Sequence, residues 1–145
     1  GKYGQRLYQL ARGNDERMVQ VSRERKSLSV ETTFEQNIQT LDHLITQSKS
    51  LYEQLITRSD KLKDSQSISG RYIKLKFSDF TPTTLEESLS GPTQNWKDPE
   101  VFEQMLTKAR ARHMKPDRLA GLGVKISNQR KSQEQLDLFQ QIPAP

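Results

Sequence analysis

Three kinds of residue in this chain could do chemistry: paired carboxylates, alternating lysines, and large apolar side chains within a polar tail. Glu86-Glu87, Asp15-Glu16 and the pair Asp98/Glu100 are the candidates for acid/base or metal work. Neighbours in a strand point to opposite faces, so Glu86 and Glu87 diverge. Asp98-Pro99-Glu100 reads instead as a helix start, with Asp at the N-cap and Pro in the first helical position. His43 and His113 are the only two histidines, and Cys is absent. Thiolate metal sites, cysteine nucleophiles and disulfide scaffolds are thereby excluded. His43 reads as a solvated residue on a helix flank, and His113 as another near a helix end. No catalytic residue and no metal site is expected here.

The lysines say more. In Arg71-Tyr72-Ile73-Lys74-Leu75-Lys76-Phe77, Ile73, Leu75 and Phe77 share one strand face, and Tyr72, Lys74 and Lys76 share the other. Cations then recur about every 7 Å along the strand, a spacing comparable to that of phosphates on a duplex. Lys125 is expected on the same face from another strand, with Arg25, Lys26, Arg71 and Arg118 at strand ends nearby. Small outward residues, Ser27, Ser29, Gly121 and Gly123, would let a phosphate ridge come close. An ordinary solvated face is the alternative, because lysines also guard sheets against edge pairing. Tyr72 is the only aromatic on this face, which argues against base stacking of the RNA-recognition type and for backbone contact with a duplex. The candidate nucleic-acid contacts are Arg25, Lys26, Ser29, Arg71, Tyr72, Lys74, Lys76, Arg118 and Lys125.

The third group is Gln135-Leu136-Asp137-Leu138-Phe139, set in an otherwise polar tail. Such a segment suits docking into a partner's groove, with Leu and Phe as buried anchors and Gln135 fixing register by amide hydrogen bonds. Packing of Leu138 and Phe139 back onto the domain is the alternative.

These groups need elements to hold them. The chain has 145 residues, 32% of them hydrophobic and 28% charged, with a net charge of +5. That length suits one domain, and the low apolar share predicts a small core with polar flanks. No apolar run approaches the roughly 18 residues a membrane span requires, and no stretch reads as a signal segment. Residues 1–13 predict a short helix stopped at Gly13-Asn14, the tail end of something larger, and residues 14–26 a solvated linker. Residues 27–34 alternate as a strand, with Leu28, Val30 and Phe34 inward and Ser27, Ser29, Glu31 and Thr33 outward. Thr32 and Glu35 offer a capping box for a helix of about seven turns reaching Lys63, marked by Ile38, Leu41, Leu44, Ile45, Leu51, Leu55 and Leu62. Residues 64–70 read as a loop, 71–77 as a strand, and 83–89 as its hairpin partner. A second helix runs from Asp98 to before Pro116 with Val101, Phe102, Met105, Leu106 and Ala109 buried. Trp96 reads as a lid on the core. Residues 118–127 form the last strand. The expected fold is α+β, a β-α-β-β-α-β order giving a four-stranded antiparallel sheet with two helices on one face, plus an extended C-terminal tail.

The strand RERKSLSVETTF and the strand RYIKLKFSDF carry a resemblance. Arg25, Lys26, Ser27, Glu31, Thr33 and Phe34 match the first hallmark, and Lys74, Leu75, Lys76, Phe77, Asp79 and Phe80 the second, of the C-terminal region of bacterial Y-family DNA polymerase IV (DinB type). Leu28 and Ile73 are small departures. The resemblance implies a little finger domain over 27–128, preceded by the end of a thumb helix (1–13) and a linker (14–26). A flexible tail (129–145) follows. It implies that the basic sheet lies in the major groove of template-primer DNA and that Gln135–Phe139 binds the bacterial sliding clamp. It further implies a monomeric, cytoplasmic translesion polymerase acting in DNA repair. Its catalytic carboxylates and Mg2+ would belong to the palm, so no cofactor is expected in this stretch. A protein-interaction adaptor and an RNA-binding domain remain the competing readings.

Overall fold

The computed structural model describes residues 1–13, 24–91 and 94–128. The expected tail motif and most of the expected linker lie outside them. Helix α1 spans Lys2–Ala11 and buries no side chain; Gly13 follows it at φ +78°, the left-handed stop that glycine permits. The remaining elements are β1 (Ser27–Ile38), α2 (Leu41–Ser59), β2 (Gln66–Phe77), β3 (Pro82–Ser88), α3 (Pro99–Ala111) and β4 (Asp117–Asn128). The strands form one sheet in the order β1-β4-β2-β3, antiparallel throughout. Both α2 and α3 pack on the same face, α2 over β1 and β4, α3 over β2 and β3. This is the expected architecture.

Strand β1 is longer than its alternation suggests. Its pairing with β4 runs from Ser27 to Thr33, breaks at a bulge, and resumes with Ile38 opposite Asp117. Ile38 is therefore buried from the strand, not from a helix. The capping box expected at Thr32 and Glu35 does not form, because β1 runs through both, with Thr32 paired to Ala120 before the bulge and Ile38 to Asp117 after it. Thr40 caps α2 instead, its hydroxyl accepting from the His43 amide at 3.3 Å. The helix has 19 residues, about five turns rather than seven. Strand β2 likewise starts at Gln66, inside the expected loop, since Ile68 pairs with Ile126 of β4.

The core lies between the sheet and the helices. Ile73, Leu75 and Phe77 of β2 meet Ala120, Leu122 and Val124 of β4, Leu44 and Leu55 of α2, and Phe102 and Leu106 of α3. Asp98 caps α3 by accepting from the Glu100 amide at 3.0 Å, with Pro99 in the first turn. Trp96 packs against the core as a lid. Tyr52 meets Phe102 edge-on at 5.9 Å and donates its hydroxyl to the Lys97 carbonyl at 2.5 Å. Burial, then the nearby Asp98 carboxylate, raises the Tyr52 hydroxyl above its usual pKa.

Two arginines fasten the layers. Arg110 donates from Nε to the fully buried Asp117 at 2.8 Å and from its terminal nitrogen to the Gln39 carbonyl at 2.6 Å. Burial pushes the Asp117 carboxyl up from its ordinary range, and Arg110 opposes that shift. Arg71 points inward beside Ile73 and is 2% exposed. Its guanidinium grips both oxygens of Glu87 at 3.3 Å and donates to the Trp96 carbonyl at 3.1 Å. Removing it takes the donor from the Trp96 loop carbonyl and empties the space that its buried side chain fills. Arg71→Ala should therefore lower unfolding free energy by about 2–3 kcal/mol, read as a fall in the urea midpoint at constant slope. A loss below about 0.5 kcal/mol, the usual limit for a surface change, would mean that Arg71 fastens nothing.

Candidate nucleic-acid interface

The sheet face that α2 and α3 leave open is built by alternation. Residues of β2 that do not enter the core, Tyr72, Lys74 and Lys76, stand on it, half-buried by their neighbours. The antiparallel registers set them in rows across the strands. Ser29, Gly123, Tyr72 and Glu86 form one row, Glu31, Gly121, Lys74 and Thr84 the next, and Thr33, Leu119, Lys76 and Pro82 a third. Lys125 stands opposite Ser27 at the far end and is exposed.

The lysines do not stand free as a row. Lys74 reaches across Gly121 to Glu31 on β1, with Nζ to Oε2 at 3.6 Å. Lys125 reaches across β2 to Glu86 on β3 at 2.6 Å. Both pairs are about half exposed, so each is worth roughly 0–1 kcal/mol. Among the described residues Lys76 has no ion pair. The face is thus less cationic than its lysines alone imply. Glu31 stands on this face, as its outward place in the alternation of β1 predicts, and brings a negative charge in among the lysines.

The glycines also differ from expectation. A Cβ on Gly123 would lie 2.3 Å from Cζ of Tyr72, so the ring lies across this glycine and fills the space. A Cβ on Gly121 would sit 3.1 Å from that of Glu31. The missing side chains seat Tyr72 and the Lys74–Glu31 bridge; they do not leave a bare trough for a phosphate ridge. Tyr72 lies against the sheet and is not raised as a stacking platform.

The other candidates separate. Arg25 and Lys26 are exposed just before β1, and the Lys26 carbonyl accepts from Ile126 at 2.8 Å, which fixes this start to β4. Ser29 is outward and exposed, and its carbonyl accepts from Arg58 of α2 at 3.0 Å. Arg118, the second residue of β4, holds its guanidinium 4.6 Å from the centre of the Phe80 ring. Phe80 itself is exposed, in a left-handed turn at φ 66°. The adjoining Asp79 carboxylate is lowered to about 2, first by its hydrogen bond from Lys115 and then by that from the Thr81 amide. Arg71 is a correction: alternation puts it on the face of Ile73, and Glu87 holds it in the core, so it cannot meet a ligand on the open side. Glu86 and Glu87 do diverge, one to Lys125 and the other to Arg71. Gln135, Leu136, Asp137, Leu138 and Phe139 lie outside the described residues. Sequence reasoning missed Glu31 and Glu86 as lysine partners and Phe80 as the seat of Arg118. The alternation marks both glutamates as outward, but only strand order brings them to the lysines.

Residues 25–138 match the family model described as the impB/mucB/samB family C-terminal domain. The chain belongs to that family. DNA polymerase IV of Pseudomonas syringae pv. tomato is 40% identical over 139 residues, which are 96% of this chain and 38% of the relative. DNA polymerase IV of Ectopseudomonas mendocina is likewise 40% identical over 139 residues, with the same shares of the two chains. The chain thus spans less than half the length of these curated relatives. A solved polymerase IV little finger domain, in complex with the β-clamp processivity factor, superposes with TM-score 0.58 at 27% identity. That match covers 68% of this chain and 86% of the other. A Y-family DNA polymerase chimera gives TM-score 0.60 at 15% identity over 86% of this chain and 35% of its own, a likeness of fold alone. The family domain here is a Y-family little finger fold.

The seat of Tyr72 is testable. In Gly123→Ala the new methyl meets the free end of the ring, so the ring should swing away while the backbone stays. Its aromatic proton shifts should move to solvent-exposed values, with the thermal midpoint falling by no more than about 4–8 °C, the change expected for about 1 kcal/mol. Amide shifts spread along both β2 and β4 would show that the backbone yielded instead.

Proposed function

We propose that this chain is the DNA-gripping and clamp-tethering end of a translesion DNA polymerase. Residues 27–128 act as its little finger, residues 1–13 as the end of a thumb helix, residues 14–26 as the linker, and residues 129–145 as the tail. One observation carries the reading: β2 presents Tyr72, Lys74 and Lys76 on the sheet face that the helices leave open, in a family whose relatives are DNA polymerases. Lys125 joins them on that face, with Ser29 beside the row and Arg25, Lys26 and Arg118 at its borders. Such a surface holds phosphates by charge and reads no bases. The duplex it fits is template-primer DNA.

The second contact is the tail. Gln135–Phe139 would dock on the bacterial sliding clamp, and the little finger domain solved with a β-clamp supports this partner. Residues 129–134 join the motif to the end of β4 at up to ~3.5 Å each, about 20 Å of reach. A ring that encircles DNA would thereby make DNA binding intramolecular, at effective concentrations up to roughly mM. A weak sheet contact then suffices.

Nucleotidyl transfer would belong to parts of the polymerase outside this chain. Among the described residues no group of three or more His, Cys, Asp or Glu side chains could hold a metal ion, so the Mg2+ of that chemistry finds no donor set in them. No helix among the described residues is long and apolar enough to cross a membrane. The two lysine–glutamate bridges favour the competing adaptor reading, in which only the tail binds.

Salt dependence separates the readings. Binding of the chain to random-sequence duplex DNA should weaken as salt rises, with a log–log slope near −0.9 per phosphate engaged. Lys74→Ala with Lys76→Ala should weaken it equally across sequences and flatten the slope by about one to two phosphates' worth. Affinity indifferent to salt and to both lysines would leave the adaptor. For the tail, Leu138→Ala with Phe139→Ala should abolish heat release on titration with sliding clamp while the circular dichroism spectrum stays unchanged. Unaltered clamp affinity would reject that site.

A further inference from the structure

Two carboxylates sit inside the proposed DNA face, and each holds one of its lysines. Lys74 lies across Gly121 onto Glu31, and Lys125 lies across β2 onto Glu86. The bridges join different strand pairs, so they do not share a carboxylate. Neither glutamate has a hydrogen bond or ion pair to a core group among the described residues: Glu31 and Glu86 are both about half exposed and face only the lysines. By contrast Glu87, one residue away, is tied to the buried Arg71. The outward glutamates are therefore not needed to satisfy the core.

We infer that Glu31 and Glu86 set the affinity of the DNA face, occupying Lys74 and Lys125 in the free domain so that duplex phosphates must displace a carboxylate from each lysine. The inference rests on the duplex-gripping reading and names what limits that grip. Two effects follow from the geometry. Each lysine exchanges one anion for another, so the electrostatic gain per contact is smaller than for a free ammonium. Each displaced carboxylate is left near the phosphates and takes up a cation from solution, so net counterion release falls below the number of lysines engaged. Lys76, unpaired among the described residues, engages phosphate without this exchange. The sheet is thus built to hold DNA weakly and let it slide, with persistence left to the tether.

The test is duplex affinity across a salt series, measured by fluorescence anisotropy on the whole chain, for Glu31→Gln, Glu86→Gln and the pair together. Glu53→Gln serves as control: it makes the same change in net charge on the exposed side of α2, away from the sheet. With both competing carboxylates neutralised, the paired variant should bind roughly 3- to 20-fold tighter. Its salt slope should steepen by about one to two units, while Glu53→Gln changes little. Equal gains from Glu53→Gln and either face variant would overturn the inference, because net charge alone would explain them. Salt-dependent binding by the original chain with no gain in the paired variant would overturn it while leaving the gripping reading intact. Salt-indifferent binding by the original chain and the paired variant alike would remove that reading and this inference with it. Both side chains are outward, and the single variants repeat the measurement should the paired one fold poorly.

Discussion

The pleat of β2 is the constraint on which the rest of the domain depends. A strand with period two must send alternate side chains to opposite sides. Ile73, Leu75 and Phe77 are fully buried, each worth about 1.5–3 kcal/mol in burial. Slipping β2 by one residue against β4 would carry Lys74 and Lys76 into the core and the three apolar residues into water. The same packing that folds the domain therefore fixes where its cations stand. Arg71 obeys this rule too. Its parity is that of Ile73, so it goes inside, and it is tolerated there because Glu87 and the loop carbonyl at Trp96 take up its charge and donors.

Strand order sets the electrostatics of the open face. With β4 between β1 and β2, a lysine on β2 must cross a whole strand to meet a carboxylate on β1. Gly121 lies in that path and has no side chain to block it. Gly123 plays the matching part for Tyr72. A surface that a residue count would describe as a lysine patch is thereby a partly self-neutralised lattice of cross-strand pairs. Such a surface suits exchange and sliding better than tight capture, because half-exposed ion pairs cost little to break.

The proposed division of labour between a weak sheet and a tethering tail is economical in physical terms. Contact with backbone phosphates carries no sequence information and is screened by salt, so it cannot by itself hold an enzyme at one place. A short apolar peptide in a partner's groove supplies directional, desolvated contacts instead. Joining the two by a few residues multiplies them through effective concentration rather than through any new contact.

The sequence by itself determined the element types, the β-α-β-β-α-β order, the faces of β2 and β4, the Asp98 cap of α3 and the divergence of Glu86 from Glu87. These are local properties: period, capping chemistry and the geometry of neighbouring residues are written within a few positions of one another. It misjudged the β1–α2 boundary: Thr32 and Glu35 have capping chemistry, but pairing of Thr32 and then of Ile38 with β4 carries the strand past them, and Thr40 becomes the cap. It also put Arg71 at the surface, since a residue at the head of a basic strand looks exposed until its carboxylate partner on β3 is known. The bridges from Lys74 to Glu31 and from Lys125 to Glu86, and the stack of Arg118 on Phe80, were decided only by the tertiary structure. Their partners lie some 38 to 43 positions apart in the chain, and strand order and loop closure, not composition, bring them within reach.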